Sequence, residues 1–282
     1  MSPRTHGVLL IAAAALLWST GGIGIKGIPD TALKVAFYRS AIATVFLLVW
    51  FRPRIPRWSA VFVGSIVSYA ACLVSFVVAT KWTTAANAIF LQYAGVVWVL
   101  LLAPVLLKEP FRRKDAIAVV AALAGMALFF AGRFEARGMN GNLMAIVSSL
   151  FFAMLILSLR RLRDVGAEAA VTYGNVVTAA VLLPFVAGDL TLTVRSSAVL
   201  IFLGVVQIAL AYILFVAGLE QVTATQASLT GMIEPIANPI WVFLVLGERP
   251  SGFALAGACI VLAAIAWRTV AVGPEGELPP VD

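Results

Sequence analysis

The sequence predicts an all-α integral membrane protein with ten transmembrane helices, built as two inverted five-helix repeats. Three observations support this prediction: the composition, a series of apolar runs, and a repeat along the chain. Of the 282 residues, 62% are hydrophobic and only 12% are charged, and the mean hydropathy is +1.03. A soluble domain carries about 25% charged residues. The chain therefore has too little polar side chain to cover a surface that faces water.

The apolar runs define the predicted spans, because about 20 residues of helix cross the hydrocarbon core. They lie at Gly7–Gly27, Thr31–Phe51, Trp58–Thr80, Thr84–Leu107, Arg113–Gly132, Gly141–Leu159, Ala167–Ala187, Ser196–Leu219, Thr223–Gly247 and Ser251–Val270. The first run is too long for a cleavable signal peptide. The connections are too short to form a soluble domain. Residues 272–282 form a polar, Pro-rich tail that is predicted to be disordered and cytoplasmic.

The repeat relates the fourth span to the ninth. Residues Thr84–Glu109 align without a gap to Thr223–Glu248 at an offset of 139, and an acidic residue ends each apolar run. The identical positions are Thr84, Ala85, Ala88, Leu107 and Glu109 in the first segment. This alignment predicts two repeats of five spans each, at residues 1–137 and 138–271.

The distribution of lysine and arginine predicts the orientation. With the N-terminus inside, twelve of these residues fall in inner segments and seven in outer segments, while Arg39 lies within a span. Cytoplasmic loops carry the excess of positive charge, so both termini are predicted to be cytoplasmic. The basic loop KEPFRRKD (108–115) would lie inside and its repeat partner GERPSG (247–252) outside. Five spans per half also require the second half to enter the membrane inverted, as in many secondary transporters.

Two charged residues lie deep inside predicted spans. Arg39 is roughly 12 Å into span two, and Glu234 is roughly 16 Å into span nine, at 1.5 Å per residue. Pro235 and Pro239 free backbone carbonyls near Glu234. A charge at this depth is costly and is usually functional. The two residues could pair with each other, bind the carboxylate and amine of a zwitterionic solute, or only tie helices together. Glu234 could also carry a proton.

Other polar and aromatic residues occur at similar depth and suit a cavity for an amphipathic organic solute. The alternative for each is a lipid-facing or packing role. Ser19, Tyr173, Asn175 and Gln207 also lie at this depth but are left outside the predicted set. The residues predicted to bind substrate are Trp18, Thr20, Tyr38, Arg39, Tyr69, Asn87, Gln92, Tyr93, Trp98, Tyr212, Glu234, Asn238 and Trp241.

The remaining tryptophans and the glycines predict structural roles. Trp50, Trp58, Trp82 and Trp267 lie at span ends, where tryptophan anchors helices at the membrane interface. Gly21 and Gly22 in span one could form a hinge or a close helix crossing, and the crossing is favoured. Spans five and ten are uniformly apolar with small residues that allow close contact. They are predicted to form a scaffold or to pack against a second copy of the chain, as a homodimer.

These features together resemble a known family. The acidic ends LLKE (106–109) and LVLGE (244–248), the segment LLWSTGGIGIK (16–26) and the segment AFYRSAIA (36–43) are similar to those of the drug/metabolite transporter superfamily with two EamA domains. Within it, the chain most resembles the YddG aromatic amino acid exporters. Gly95 and Val96 occupy the positions that correspond to Glu234 and Pro235. Any role of the Glu-Pro pair is therefore confined to the second half.

The resemblance implies a secondary transporter that exports amino acids or related metabolites across the bacterial inner membrane by alternating access. A broad-specificity drug exporter and a passive channel are the alternatives. The chain lacks a GxxxxGK[ST] loop, so ATP hydrolysis by that route is not expected. An intramembrane enzyme is disfavoured because the chain lacks HExxH and GxSxG motifs and has almost no histidine. The single histidine, His6, and the cysteines Cys72 and Cys259 within apolar runs predict neither a metal site nor a disulfide. No cofactor and no nucleic-acid partner are expected.

Overall fold

The computed structural model describes residues 2–53, 58–131, 138–164, 166–237, 241 and 251–271. Within these ranges the chain forms helices and connecting turns, without a β-strand. Eight helical stretches are long and apolar enough to cross a membrane. They are Pro3–Lys26, Ala32–Phe51, Ala60–Trp82, Ala85–Leu106, Met139–Arg161, Ala167–Val186, Val194–Leu219 and Gly252–Val270. The predicted fold class, an all-α integral membrane protein, is confirmed.

The count of ten spans remains a prediction. The fifth predicted span forms a helix of 17 residues, Arg113–Phe129, whose first turn is charged. The ninth is described over residues 223–237, with a helix at Ala224–Gly231 and helical residues at 233–237, and at Trp241. The rest of that span, including Asn238 and Pro239, lies outside the described residues, as does Glu248 after it.

The helices of the two halves follow one another in similar order. The first half contains α1 (Pro3–Trp18), α2 (Gly21–Lys26), α3 (Ala32–Phe51), α4 (Ala60–Trp82), α5 (Ala85–Gln92), α6 (Gly95–Leu106) and α7 (Arg113–Phe129). The second half contains α8 (Met139–Arg161), α9 (Ala167–Val186), α10 (Val194–Phe202), the π segment (Leu203–Leu210), α11 (Ala211–Leu219), α12 (Ala224–Gly231) and α13 (Gly252–Ala271).

Hydroxyl side chains start many of these helices. Each accepts a hydrogen bond from the backbone N–H three residues later, which satisfies one of the free donors of a helix start. The capping residues are Ser2, Thr31, Ser59, Thr84, Thr193 and Thr223. Thr84 and Thr223 are equivalent in the repeat, so the local start of spans four and nine is repeated as well as their sequence.

Spans four and nine are also interrupted at equivalent places. Helix α5 ends at Gln92 and helix α12 ends at Gly231, which differ by the repeat offset of 139. Helix α6 then begins at Gly95, and residues 233–237 are again helical. Span one is likewise interrupted, at Ser19 and Thr20 between α1 and α2. The sequence does not predict the break in span four, because no proline lies near Tyr93.

The contacts between helices occur in matching pairs. Helix α1 packs on α11 as α8 packs on α4, and α3 packs on the π segment as α9 packs on α4. Helix α12 lies against α1 as α5 lies against α8. The pairs α3–α9, α6–α12 and α7–α13 bring equivalent spans together. This pattern is the one that a twofold relation between the halves produces.

Helices α7 and α13 form a close pair at one side of the bundle. A Cβ atom on Gly257 would lie 2.4 Å from the carbonyl oxygen of Gly125, so the two backbones meet there. Arg268 donates to Asp115 across 2.6 Å, and both side chains are buried. This geometry agrees with the predicted scaffold role, and neither helix contributes to the central cavity described below.

We call the end of the bundle that carries residues 108–115 and 160–164 the inner end. The opposite end, which carries Asp30 and Asp189, is called the outer end. At the outer end, Lys34 bridges Asp30 and Asp189 at 3.5 and 3.0 Å. Large apolar side chains face outward between the ends, including Val49, Val105 and Phe185. Trp50, Trp58, Trp82 and Trp267 are exposed at helix ends, which suits interfacial anchors.

Candidate functional site

A small cavity lies at the centre of the bundle. Its volume is about 50 Å³, which holds a few water molecules at about 10–15 Å³ each. It is lined by residues from spans one to four, six, eight and nine. These residues are Trp18, Arg39, Cys72, Leu73, Phe76, Gln92, Phe152, Gln207, Ile208, Tyr212 and Glu234. The cavity thus combines two opposite charges with amides and an apolar wall.

Arg39 provides the positive charge of the central cavity. The side chain projects from α3 and the residue is 2% exposed. Its Nη2 atom donates to Oε1 of Gln207. Its Nε and Nη1 atoms have no hydrogen-bond partner among the described residues. A buried charge without full hydrogen bonding is costly, so Arg39 retains unused capacity to bind an anionic group.

Glu234 provides the negative charge. It lies just after the interruption of span nine, and Tyr93, at the interruption of span four, donates to its Oε2 atom across 2.7 Å. Within the described residues, Glu234 forms no ion pair, although Arg39 lines the same cavity. The two charges therefore face one space without neutralising each other directly.

Aromatic rings form one wall of the cavity. The Trp18 ring lies 5.1 Å from Tyr212, 5.0 Å from Phe215 and 6.4 Å from Phe152, measured between centroids. Tyr69 packs on Tyr212 with a centroid distance of 5.1 Å. Such edge-to-face and tilted contacts are favourable for aromatic pairs. The wall therefore presents an apolar aromatic surface to the cavity.

Amides and small polar side chains form the remaining polar surface. Gln92 donates to the hydroxyl of Ser148 across 2.8 Å and lies 3.7 Å from the thiol of Cys72. Gln207 lies in the π segment and donates to the carbonyl of Trp18 across 3.4 Å. π-Helical turns occur frequently at functional sites. The interruption of span one and the π segment thus meet beside the cavity.

The structure brings part of the predicted set to the central cavity. Trp18, Arg39, Gln92, Tyr212 and Glu234 line it. Two other predicted residues lie one contact away: Tyr93 is bonded to Glu234, and Tyr69 packs on Tyr212. Asn238 lies outside the described residues. A role in substrate binding stays a prediction for each of these residues.

Thr20 and Trp241 line a second cavity instead. This cavity has a volume of about 380 Å³ and an almost wholly apolar lining, contributed by α2, α10 and span nine. Trp241 also donates through Nε1 to the hydroxyl of Ser19 across 2.7 Å. Ser19 follows Trp18 of the central cavity, so the bond lies between the two spaces.

The other three predicted residues lie away from both cavities. Tyr38 donates to the carbonyl of Leu190 in the connection between α9 and α10 at 2.6 Å. Asn87 is buried in a polar contact with Thr83 and Asn142. Trp98 is 41% exposed on the outer surface of α6. None of the three lines either cavity, and a role in substrate binding stays a prediction for them as well.

Several cavity residues are absent from the predicted set: Cys72, Leu73, Phe76, Phe152, Gln207 and Ile208. Gln207 carried a usable signal, since it is a polar residue deep in an apolar run. The apolar residues carried no such signal. Which face of a membrane helix turns inward depends on its neighbours.

A second charged cluster connects the inner ends of several spans. Arg160 of α8 donates to Glu109 across 3.0 Å, with side-chain exposures of 0% and 5%. Arg160 also donates to the carbonyl of Leu219 at the end of α11. Glu109 accepts the backbone N–H of Ala224 at the start of α12, at 3.0 Å. Burial raises the pKa of Glu109, although Arg160 and the Ala224 N–H oppose the shift. We call Glu109, Arg160 and Ala224 the inner clasp.

The inner clasp lies on the same spans as the central cavity. Arg160 is roughly 12 Å along α8 from Phe152, and Leu219 is roughly 10 Å along α11 from Tyr212, at 1.5 Å per residue. Glu109 belongs to the first half and its partners to the second. The inner clasp therefore joins the two halves at the inner end, on one side of the central cavity. Among the described residues, no group of histidine, cysteine and acidic side chains could hold a metal ion.

Comparisons with known proteins agree with this architecture. The sequence pattern of the EamA-like transporter family matches residues 5–131 and 139–269. Two proteins of Archaeoglobus fulgidus, each described as an uncharacterized transporter, are 25% and 27% identical and are matched over 97% of their lengths. These alignments cover 94% and 93% of the present chain.

A Bacillus subtilis protein, the uncharacterized transporter YwfM, is 28% identical over 90% of both chains. A crystal structure superposes on 95% of this chain and 98% of its own, with a TM-score of 0.79 and 17% sequence identity. That similarity concerns the fold alone.

Proposed function

Because the chain belongs to the EamA-like transporter family, with two repeats of that family, it is a multi-pass membrane transporter, and we propose that it exports amino acids with aromatic or other neutral side chains. It would act as a secondary transporter of the bacterial inner membrane by alternating access, as the resemblance to the YddG exporters suggests. The observation that carries the substrate class is the placement of Arg39 and Glu234 on one cavity without a direct ion pair.

The two charges match the two ends of an amino acid backbone. Two nitrogen atoms of Arg39 have no hydrogen-bond partner in the described part of the chain, and a carboxylate is the group that guanidinium binds most readily. Glu234 has a single hydrogen-bond partner among the described residues, Tyr93, and can accept from an ammonium group. A zwitterion would satisfy both charges at once. A cation alone would leave Arg39 uncompensated.

The aromatic wall supports the side-chain preference. Trp18, Phe152 and Tyr212 line the cavity next to the charges and offer an apolar surface. A bound aromatic or aliphatic side chain would gain burial there. A charged side chain would meet no partner on this wall, because its lining carries no further charge among the described residues.

The cavity volume supports alternating access over a passive channel. A volume of about 50 Å³ is too small for an amino acid, since ligand pockets are commonly about 300–1,000 Å³. Admission of the substrate therefore requires the surrounding spans to separate. The inner clasp would hold the inner ends together in the present arrangement, and its opening would expose the cavity to that side.

The orientation follows from the charge distribution. The inner end carries the loop Lys108–Asp115 and the arginines Arg160, Arg161 and Arg163, and cytoplasmic loops are enriched in such residues. The inner end is thus proposed to face the cytoplasm, together with both termini. Export would then move the substrate from the inner end to the outer end. Helices α7 and α13 are proposed either to serve as a scaffold or to form the interface of a homodimer.

Substrate counterflow in proteoliposomes tests the proposal. The panel contains aromatic, aliphatic and basic amino acids together with lipophilic cations that lack a carboxylate. The unaltered protein is compared with Arg39→Ala and with Arg195→Ala, which removes an exposed arginine at the start of α10. Saturable exchange of neutral amino acids that is lost only with Arg39→Ala supports the proposal. Exchange of cations that survives Arg39→Ala would favour a drug exporter and contradict it.

A further inference from the structure

Gln207 occupies a bridging position between the charge of Arg39 and the interruption of span one. It is 3% exposed and lies in the π segment. Its Oε1 atom accepts from Nη2 of Arg39, and its Nε2 atom donates to the carbonyl of Trp18. One amide thus connects span two, span eight and span one at the edge of the central cavity.

The two contacts fix the orientation of this amide. A guanidinium group can only donate, and a carbonyl can only accept. The Gln207 oxygen must therefore face Arg39, and its nitrogen must face Trp18. Trp18 is the last residue of α1, where helix carbonyls lack their usual partners. Inside a membrane such a carbonyl needs another donor, so both neighbours hold Gln207 in place.

Two glycines leave the space that this arrangement requires. A Cβ atom at Gly21 would lie 2.8 Å from Nε2 of Gln207. A Cβ atom at Gly204 would lie 2.7 Å from the side chain of Ile42 and 3.1 Å from the carbonyl oxygen of Arg39. The close crossing predicted at Gly21 is thus a crossing against Gln207, which coincides with the break in span one.

A related but uncharged contact joins the equivalent pair of helices, again across the two halves. Asn175 of α9 donates to the hydroxyl of Tyr69 on α4 across 2.7 Å, between the helices that correspond to α3 and span eight. Helix α4 is a regular α-helix over Ala60–Trp82, whereas span eight contains the π segment. The charge and the π-helical turn therefore occur together at one of these two related contacts and at neither side of the other.

We infer that Gln207 is a positioning residue for the substrate carboxylate. It holds Arg39 at one nitrogen atom and leaves the charge uncompensated, so that Nε and Nη1 remain for a ligand. A carboxylate at position 207 would instead neutralise Arg39, and an apolar residue would leave the guanidinium unrestrained. This inference rests on the proposed function, because it assigns the role of Arg39 in amino acid binding.

Two substitutions separate these effects. Gln207→Glu keeps the shape, places a negative charge against Arg39 and removes the hydrogen bond to the Trp18 carbonyl. Gln207→Leu keeps the approximate volume and removes both hydrogen bonds. Counterflow of phenylalanine is measured alone and in competition with phenethylamine, which has the same ring and amine but no carboxylate. In both variants the KM for phenylalanine should rise roughly tenfold more than the inhibition constant of phenethylamine. Equal changes for the two solutes would overturn the inference.

A stability measurement makes the test independent of transport. Gln207→Glu provides an ion-pair partner for the buried guanidinium of Arg39, so the Tm of this variant should exceed that of Gln207→Leu. This Tm difference should disappear when both variants also carry Arg39→Ala. Gln226→Glu and Gln226→Leu are the matched controls, because Gln226 is a buried glutamine bonded to Thr230 at the inner end. Their Tm difference should not depend on Arg39.

The two measurements distinguish the possible failures. Absence of amino acid exchange by the unaltered protein contradicts the proposed function, while the Tm comparison still tests whether Gln207 holds Arg39. A Tm difference that persists without Arg39 overturns the inference even if amino acids are transported.

Discussion

Tyr93 and Glu234 meet through a hydrogen bond of 2.7 Å that links the interruptions of two equivalent spans. Tyr93 follows the end of α5, and Glu234 lies three residues beyond the end of α12. The carboxylate is thus held from the first half while its backbone belongs to the second. A change in the relation between the halves must change this contact.

Tyr93→Phe is expected to weaken substrate binding. It removes a hydrogen bond to a charged group, which contributes about 1.5–3 kcal/mol, so the KM for a neutral amino acid should rise roughly tenfold or more. Counterflow at several substrate concentrations measures the change. Tyr173→Phe is the control, because among the described residues the Tyr173 ring contacts Phe62 and its hydroxyl has no partner. Equal effects of the two variants would show that the hydroxyl of Tyr93 has no special role.

Arg160→Ala is expected to open the inner end. Removing one partner of a buried ion pair costs about 3–5 kcal/mol, and the variant also frees the carbonyl of Leu219. In a Cys259→Ser background Cys72 is the only cysteine and lines the central cavity. A membrane-impermeant maleimide applied to inside-out vesicles should label Cys72 several-fold faster in the variant.

Arg268→Ala is the matched control for this experiment. It breaks a buried ion pair of the same chemistry with Asp115, between α7 and α13 and away from the central cavity. It should lower Tm by a similar amount without faster labelling of Cys72. If both variants increase labelling equally, general loosening of the bundle explains the effect and the inner clasp is not a closure.

Thr84→Ala and Thr223→Ala are expected to destabilise the protein to a similar extent. Each removes the equivalent cap at the start of span four or span nine, with a typical cost of about 1 kcal/mol. Thr→Ser at the same positions retains the capping oxygen and should restore most of the Tm. A loss with serine as large as that with alanine would attribute the effect to the methyl group and not to the cap.

Gly257→Ala is expected to destabilise the α7–α13 pair. The added methyl group would lie 2.4 Å from the carbonyl of Gly125, and overpacking of this kind costs about 1–3 kcal/mol. Gly64→Ala is the same change at a position where the added Cβ atom would meet no neighbouring atom within 4 Å. It should leave Tm unchanged or raise it, because alanine favours helix. Thermal unfolding in detergent measures both variants.

The sequence predicts the fold class and the deepest charged residues well. Hydrophobic run lengths define the spans, and the 139-residue offset identifies the equivalent helix starts at Thr84 and Thr223. Depth alone selects Arg39 and Glu234, because a charge in hydrocarbon has few uses. Both residues line the central cavity, although their role in binding remains a prediction.

Depth does not predict which way a side chain faces. Tyr38 is adjacent to Arg39 in sequence and lies at nearly the same depth, yet it reaches Leu190 at the outer end. Trp98 lies in a cavity-lining span but is exposed on its far side. Phe152 and Ile208 face the cavity without a distinguishing sequence signal. These directions depend on packing between spans, and the π segment adds a local change of register that composition does not reveal.

The interruptions at Tyr93 and at Met232 have a mechanical consequence. A continuous helix in hydrocarbon resists bending, since each broken backbone hydrogen bond would lack a replacement from water. Span four is already divided into α5 and α6, and backbone hydrogen bonds from Tyr93, Ala94 and Val96 bridge the junction. Under the proposed alternating access, we expect α5 and α6 to reorient as separate helices about the Tyr93–Glu234 contact. Movement there would not require new backbone groups to be exposed to lipid.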